Sequence, residues 1–175
     1  EVGDRLVLLR SENNVGENIG LSVHWHGISQ KSTPWADGTG YVTNCPITYG
    51  SSFTYKFNAS EAGTFWYHSH IGLQRADGGY GFLIVKDVVG NEPGTYDDER
   101  HLIITDWYHT SGDGYDAGLL QYPGFIFPGV GSAVLLNGIG SCSANSVTIS
   151  STSSAPTGKP LIIILIFYFI MFVWI

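Results

Sequence analysis

The stretch Ser52-Phe53-Thr54-Tyr55-Lys56-Phe57 alternates polar and aromatic residues without a break. In an extended chain, successive side chains point to opposite faces, so this pattern predicts a half-buried strand with three aromatics on one side. Four more apolar or aromatic runs read the same way in the first half of the chain. They are Arg5-Leu6-Val7-Leu8-Leu9-Arg10, Leu21-Ser22-Val23-His24-Trp25-His26, Thr64-Phe65-Trp66-Tyr67-His68 and Phe82-Leu83-Ile84-Val85-Lys86. Between them lie Ala36-Asp37-Gly38-Thr39-Gly40, Glu61-Ala62-Gly63 and Asp77-Gly78-Gly79, clusters of residues that favour turns. Short strands at this spacing predict an all-β antiparallel sandwich or barrel. No segment before the final apolar tail keeps a helical apolar period. The 23 glycines and 14% aromatic content suit a β-rich chain with many turns.

The polar, turn-rich segment from Val88 to Asp98 predicts a boundary, with a first domain over 1–88. A new strand is expected at His101-Leu102-Ile103-Ile104-Thr105-Asp106-Trp107, and a short one at Ala133-Val134-Leu135-Leu136-Asn137. Two or three strands cannot complete a second sandwich, so 99–140 reads as the start of an unfinished second unit. Residues 141–160 are rich in Ser and Thr and read as a linker. Leu161 to Ile175 is wholly apolar. As a helix it would span roughly 22 Å, short of the ~20 residues a bilayer core needs. Three origins stay open for it: a membrane anchor, a GPI-attachment signal following the small residues Ser150 to Ser154, or a sequence artefact replacing the true continuation.

A net charge of −7 with only 13% charged residues argues against a nucleic-acid surface, which needs a basic face. Cys45 and Cys142 are too few for a disulfide framework; they can pair with each other or with partners outside this chain. The sequon Asn58-Ala59-Ser60 is a candidate glycosylation site in a secreted protein. The chain opens on Glu1 without a signal peptide, so its amino terminus reads as a mature end or a cut.

Four of the six histidines fall in two His-x-His pairs, His24-Trp25-His26 and His68-Ser69-His70. Within a strand, each pair places two imidazoles on one face, roughly 7 Å apart at the backbone. Neighbouring strands would bring four imidazoles to one cavity. Neutral imidazoles with few carboxylates favour copper or zinc, and spacing does not choose between them.

The flanking residues carry a resemblance. His24-Trp25-His26-Gly27-Ile28-Ser29-Gln30, Trp35-Ala36-Asp37-Gly38 and Thr43-Asn44-Cys45-Pro46-Ile47 resemble the first copper signature of laccase-type multicopper oxidases. Gly63-Thr64-Phe65-Trp66-Tyr67-His68-Ser69-His70, Gln74 and Asp77-Gly78 resemble the second. A weaker likeness runs through Thr105-Asp106-Trp107-Tyr108-His109 and Leu135-Leu136-Asn137-Gly138. The resemblance implies a cupredoxin-like Greek-key domain, followed by the opening of a second. It implies copper as cofactor, held in a trinuclear cluster that reduces O₂ to water with electrons from small, benzenediol-like phenols. On this basis His24 matches a ligand of type 2 copper, His26 and His68 ligands of one type 3 copper, and His70 a ligand of the other. Asp37 matches a carboxylate that assists proton delivery. Trp25, Trp66 and Tyr67 read as packing, and His101 and His109 as structural.

The resemblance also implies what is missing. No His-Cys-His occurs in the sequence, so the type 1 site and the other four cluster histidines are absent, and the chain alone is expected to be inactive. They would come from the remaining cupredoxin domains of a parent enzyme. Cys45 matches a cysteine that bonds to one near the family's carboxy terminus, and Ala76 stands where many fungal laccases carry a cysteine. Secretion is the setting the family implies. Two rival functions remain. A membrane-anchored ferroxidase would suit the tail, but its iron-binding carboxylate has no counterpart, because no Asp or Glu follows Asp116. A non-catalytic copper- or zinc-binding cupredoxin module is the other.

Overall fold

A computed structural model describes residues 6–12, 20–87, 98–112, 124, 129–140 and 161–168. The chain divides into two compact units, Glu1–Glu92 and Pro93–Ile175. The boundary segment is outside the described residues as far as residue 97.

The first unit holds five strands: β1 (Leu6–Glu12), β2 (Val23–His26), β3 (Ser52–Asn58), β4 (Gly63–Ser69) and β5 (Tyr80–Val85). Strands β1 and β3 pair antiparallel as one sheet, and β2, β4 and β5 form a second in the order β2-β4-β5. Strand β3 behaves as its alternation predicts. Phe53, Tyr55 and Phe57 face inward, while Ser52, Thr54, Lys56 and Asn58 are exposed. Trp25 of β2 meets them from the other sheet, with ring centroids 5.4 Å from Tyr55 and 5.2 Å from Phe57. The core is completed by Ile28, Ala36, Ile47, Ala59 and Val85. The buried Tyr55 hydroxyl accepts a hydrogen bond from the Val23 main-chain N–H at 2.9 Å. One ring thus fills the core and satisfies a donor of the strand opposite.

The loop from β2 to β3 is pinned rather than free. Leu21 and Ile47 exchange main-chain hydrogen bonds at 2.9 and 2.7 Å, and a 3₁₀ turn over Pro34–Ala36 buries Ala36. Pro34 at its first position has the fixed φ that starts such a turn.

In the second unit, β6 (Asp98–Trp107) lies between β7 (Ala133–Leu136) and β8 (Leu161–Tyr168). β7 runs antiparallel to β6, and β8 parallel to it. Asn137, at φ 52°, fastens the turn after β7 to β6. Its side chain accepts from Ile103 N–H at 2.8 Å and donates to His101 C=O at 3.0 Å.

Strand β8 corrects the helical length argument made for the apolar tail: residues 161–168 are extended and paired, not helical. Four isoleucines, a phenylalanine and a tyrosine in eight residues favour a strand, and a continuous apolar run is what a parallel strand looks like in sequence. Residues 141–160 and 169–175 are outside the described residues. Among the described residues, no helix is long and apolar enough to cross a membrane.

The β3 core face gives a direct stability test. Phe57→Ala should lower unfolding free energy by about 3–5 kcal/mol in urea, because the ring is buried against Trp25. Lys56→Ala, one residue away on the exposed face, should change it by less than about 0.5 kcal/mol.

Candidate metal centre

Antiparallel pairing of β2 with β4 sets His24 directly opposite His68, Trp25 opposite Tyr67 and His26 opposite Trp66. Side chains alternate across both strands, so Trp25 turns into the core while His24, His26, Trp66 and His68 share the outer face. His70 follows β4 on the same side, its N–H donating to Ser22 C=O at 2.8 Å. The two His-x-His pairs therefore form one cluster. The His24 ring lies 5.6 Å from His26, 5.3 Å from His68 and 5.5 Å from His70, centroid to centroid. The His26 and His68 rings are 5.5 Å apart.

Main-chain carbonyls orient two of these rings. His24 Nδ1 lies 2.7 Å from Asp37 C=O, and His68 Nδ1 lies 2.9 Å from Ser69 C=O. A carbonyl only accepts, so each Nδ1 carries the proton and each Nε2 keeps its lone pair for a metal. His26 presents Nδ1 instead, 3.3 Å from His68 Nε2. Ligand nitrogens of His24, His26 and His68 all lie within 4.8 Å of one another. A donor set of neutral imidazoles fits copper or zinc.

Burial, reinforced by the nearby charge of Arg75 and by His24 and His26, pushes His68 down to about 4, although its hydrogen bond to Ser69 works the other way. His26 is lowered too, by burial first and then by His24, Arg75 and His70. Both are thus neutral at neutral pH, as metal ligands must be.

Asp37 stands beside the cluster. Its carbonyl fixes the His24 tautomer, its Oδ1 is 3.4 Å from His24 Nδ1, and its Oδ2 accepts from the Thr39 hydroxyl at 2.8 Å. Asn58 is exposed at the end of β3, and His101 and His109 belong to the second unit, where His101 pairs with Glu99. Cys45 is an exposed free thiol; Cys142 is outside the described residues.

Sequence reasoning missed the scaffold around the histidines. The buried Ser22 hydroxyl donates to Gly38 C=O at 2.7 Å and accepts from Asn44 Nδ2 at 3.1 Å. Ser69 Oγ donates to Gln74 Oε1, and Gln74 Nε2 donates to Gly20 C=O at 3.0 Å, tying the loop after β4 to the start of β2. Asn44 and Gln74 stand in the quoted signatures, but nothing in a linear pattern says what they bond. Trp66 packs, as expected, yet on the site itself: its ring is 5.0 Å from His26 and 4.4 Å from His68.

The sequence matches the family model described as multicopper oxidase over residues 2–89. This chain belongs to the multicopper oxidase family. It is 45% identical over 122 residues to an L-ascorbate oxidase of Cucumis sativus, covering 69% of this chain and 21% of that protein. It is 39% identical over 158 residues to Laccase-1 of Cryptococcus neoformans var. grubii, covering 86% and 25%. Among solved structures, it is similar to Fet3p, a multicopper oxidase that functions in iron import, with TM-score 0.69, 32% identity and coverage of 77% of this chain and 25% of that one. The laccase of Botrytis aclada gives TM-score 0.64 and 37% identity, with coverage of 82% and 26%. These neighbours are cupredoxin-fold proteins, and the all-β architecture of this chain is of the same class. The chain spans about a quarter of the length of the curated relatives it matches.

Two measurements follow from this multicopper oxidase site. The His68 imidazole is neutral when folded but takes a proton near pH 6.5 once unfolded, so between those values only the unfolded state is protonated. Stability should be highest above about pH 6.5, fall as pH drops towards 4 and level off below it. Urea midpoints across that range should show a shallower fall in His68→Asn. Separately, Gly38 has φ +76°, and a Cβ there would sit 1.7 Å from Val23 C=O. Gly38→Ala should therefore cost at least about 2 kcal/mol and release the His24 ring from Asp37, seen as a loss of the fixed tautomer in imidazole nitrogen NMR.

Proposed function

We propose that this chain carries one half of the dioxygen-reducing copper centre of a laccase-type oxidase. The reaction is oxidation of benzenediol-like phenols coupled to reduction of O₂ to water. The observation that carries this reading is the gathering of four imidazoles on one face of β2 and β4, with two tautomers set by main-chain carbonyls. Bound copper would supply the one-electron chemistry and the site of dioxygen reduction. The chain's own residues supply the rest. His24, His26, His68 and His70 hold metal, in the type 2 and type 3 roles the resemblance assigns. Trp66 covers two of those rings. The Asp37 carboxylate, bonded to Thr39 and close to His24, takes the proton-delivery role that the resemblance implies.

Electrons from a phenol enter through a type 1 site, and no His-Cys-His occurs in these residues. The parent enzyme's remaining cupredoxin domains supply that site and the facing histidines, so this chain alone turns over nothing. Secretion is the setting the resemblance implies, and the exposure of Asn58 is compatible with glycosylation there.

The reductant has a second reading. Several relatives near 45% identity are ascorbate oxidases, and the structural likeness to Fet3p brings iron into consideration. Ascorbate and iron are therefore the alternatives to a phenol.

Oxygen uptake by the copper-loaded parent enzyme tests the proposal with three reductants: a benzenediol, ascorbate and Fe(II). The expected result is the fastest uptake with the benzenediol, at about four one-electron oxidations per O₂ consumed. Faster uptake with ascorbate or Fe(II) would replace the substrate, and no uptake with any of them would leave a metal-binding module.

A further inference from the structure

The resemblance divides His24 from His26 and His68, giving them to copper ions of different type, whereas the geometry groups them. We propose that these 175 residues by themselves hold a single divalent copper or zinc ion through His24 Nε2, His26 Nδ1 and His68 Nε2, with His70 outside its coordination sphere. This inference rests on the metal-centre reading above.

Three observations lead to it. First, the carbonyls of Asp37 and Ser69 occupy Nδ1 of His24 and His68, so each of these residues offers only Nε2. Second, His26 Nδ1 and His68 Nε2 are 3.3 Å apart. The two rings share a hydrogen bond at this distance, and two nitrogens bound at about 2.0–2.1 Å with a tetrahedral angle are also about 3.3 Å apart, so an ion that displaces the shared proton needs little change in their separation. One ring nitrogen from each of His24, His26 and His68 lies within 4.8 Å of one from each of the other two. A tetrahedral site needs each pair of donors about 3.3 Å apart, so the widest pair closes by at most about 1.5 Å. Side-chain torsions cover that distance.

Third, His70 is arranged differently. Its ring is stacked on His68, with centroids 5.8 Å apart and planes 26° from parallel. Imidazole lone pairs lie in the ring plane, so those of stacked rings run side by side instead of converging. His24 meets His26 at 81°, His68 at 66° and His70 at 78°. What sets His70 apart is its near-parallel plane to His68, together with the grouping of ring nitrogens from His24, His26 and His68 alone within 4.8 Å among the described residues. Three imidazoles leave a fourth position open to water, a donor set known to suit zinc as well as copper. Metal choice by this chain alone would then follow availability and affinity.

The test titrates Zn(II) and Cu(II) separately into the 175-residue chain, counting bound metal and measuring affinity against a chromophoric chelator. One equivalent of either ion is expected. His26→Ala should weaken binding at least about thirtyfold, and His70→Ala less than about threefold. Two or more equivalents, or equal losses in the two variants, would overturn the proposal. If the alanine variants do not fold, pulsed EPR of the wild-type Cu(II) form decides by counting imidazoles: three supports the single site, and two or four sinks it. A chain that binds no metal while the copper-loaded parent oxidises phenols would remove this inference and leave the proposed function standing. One bound ion in this chain beside a parent that oxidises none of the three reductants would do the reverse.

Discussion

The register that sets His24 against His68 decides both faces of the first domain at once. Strand side chains alternate, so sliding β2 by one residue would turn the imidazoles into the core and Trp25 out of it. The core therefore enforces the site. Trp25 is wedged between sheets against Tyr55 and Phe57, and the Tyr55 hydroxyl holds the Val23 N–H just before His24. No metal is needed to specify which side of the strand the histidines occupy. Apolar burial on the inner face has already selected it, and the cost of exposing Trp25 far exceeds anything an unliganded imidazole could recover.

What the sheet cannot fix alone is the rotation of each ring, and there the loops contribute. The Asp37 carbonyl reaches His24 only because Gly38 lies hard against Val23 and Ser22 bonds the Gly38 carbonyl. Asn44 braces Ser22 from further along the same loop. Gln74 performs the matching task for the second pair, joining Ser69 to Gly20. The first loop thus braces its own strand β2, while the second ties the strand carrying one histidine pair to the chain beside the other. Burial of His68, and partial desolvation of His26 beside other positive groups, keep both rings uncharged, which lets several basic rings and Arg75 share a small volume without mutual repulsion.

Much of this was legible in the sequence, and the limits have physical causes. The Ser52–Phe57 alternation announces its strand because one face is dry and the other wet. His-x-His spacing announces a shared face because the strand period is two. Pairing partners are not written locally: that β2 and β4 are neighbours is a long-range fact, as are the Ser22–Asn44 and Ser69–Gln74 bonds. Neither could sequence say that His26 presents Nδ1 while His24 and His68 present Nε2, since that depends on which carbonyl each ring meets. The tail went differently for another reason. A short, continuous apolar run has no period, so the sequence offered only its helical length, too short for a span, and no sign of the strand that pairs with β6.

A sheet face also explains why such a site comes in halves. Rings standing on two adjacent strands approach an ion from one side only, because all their Cβ atoms leave the same surface. His26 and His70 remain exposed on that surface, while His68 is buried beneath Trp66 and its neighbours. One ion can be gripped from below by convergent nitrogens, but its upper hemisphere is open to water or to another donor-bearing face. Adding more histidines to β2 or β4 would not close it, since positions two residues further along lie roughly 7 Å away. Closure requires a second surface brought opposite the first. A fold that lays ligands on strands therefore gains a rigid, well-registered set of donors on one side only, and leaves the other side open to water or to donors on another surface.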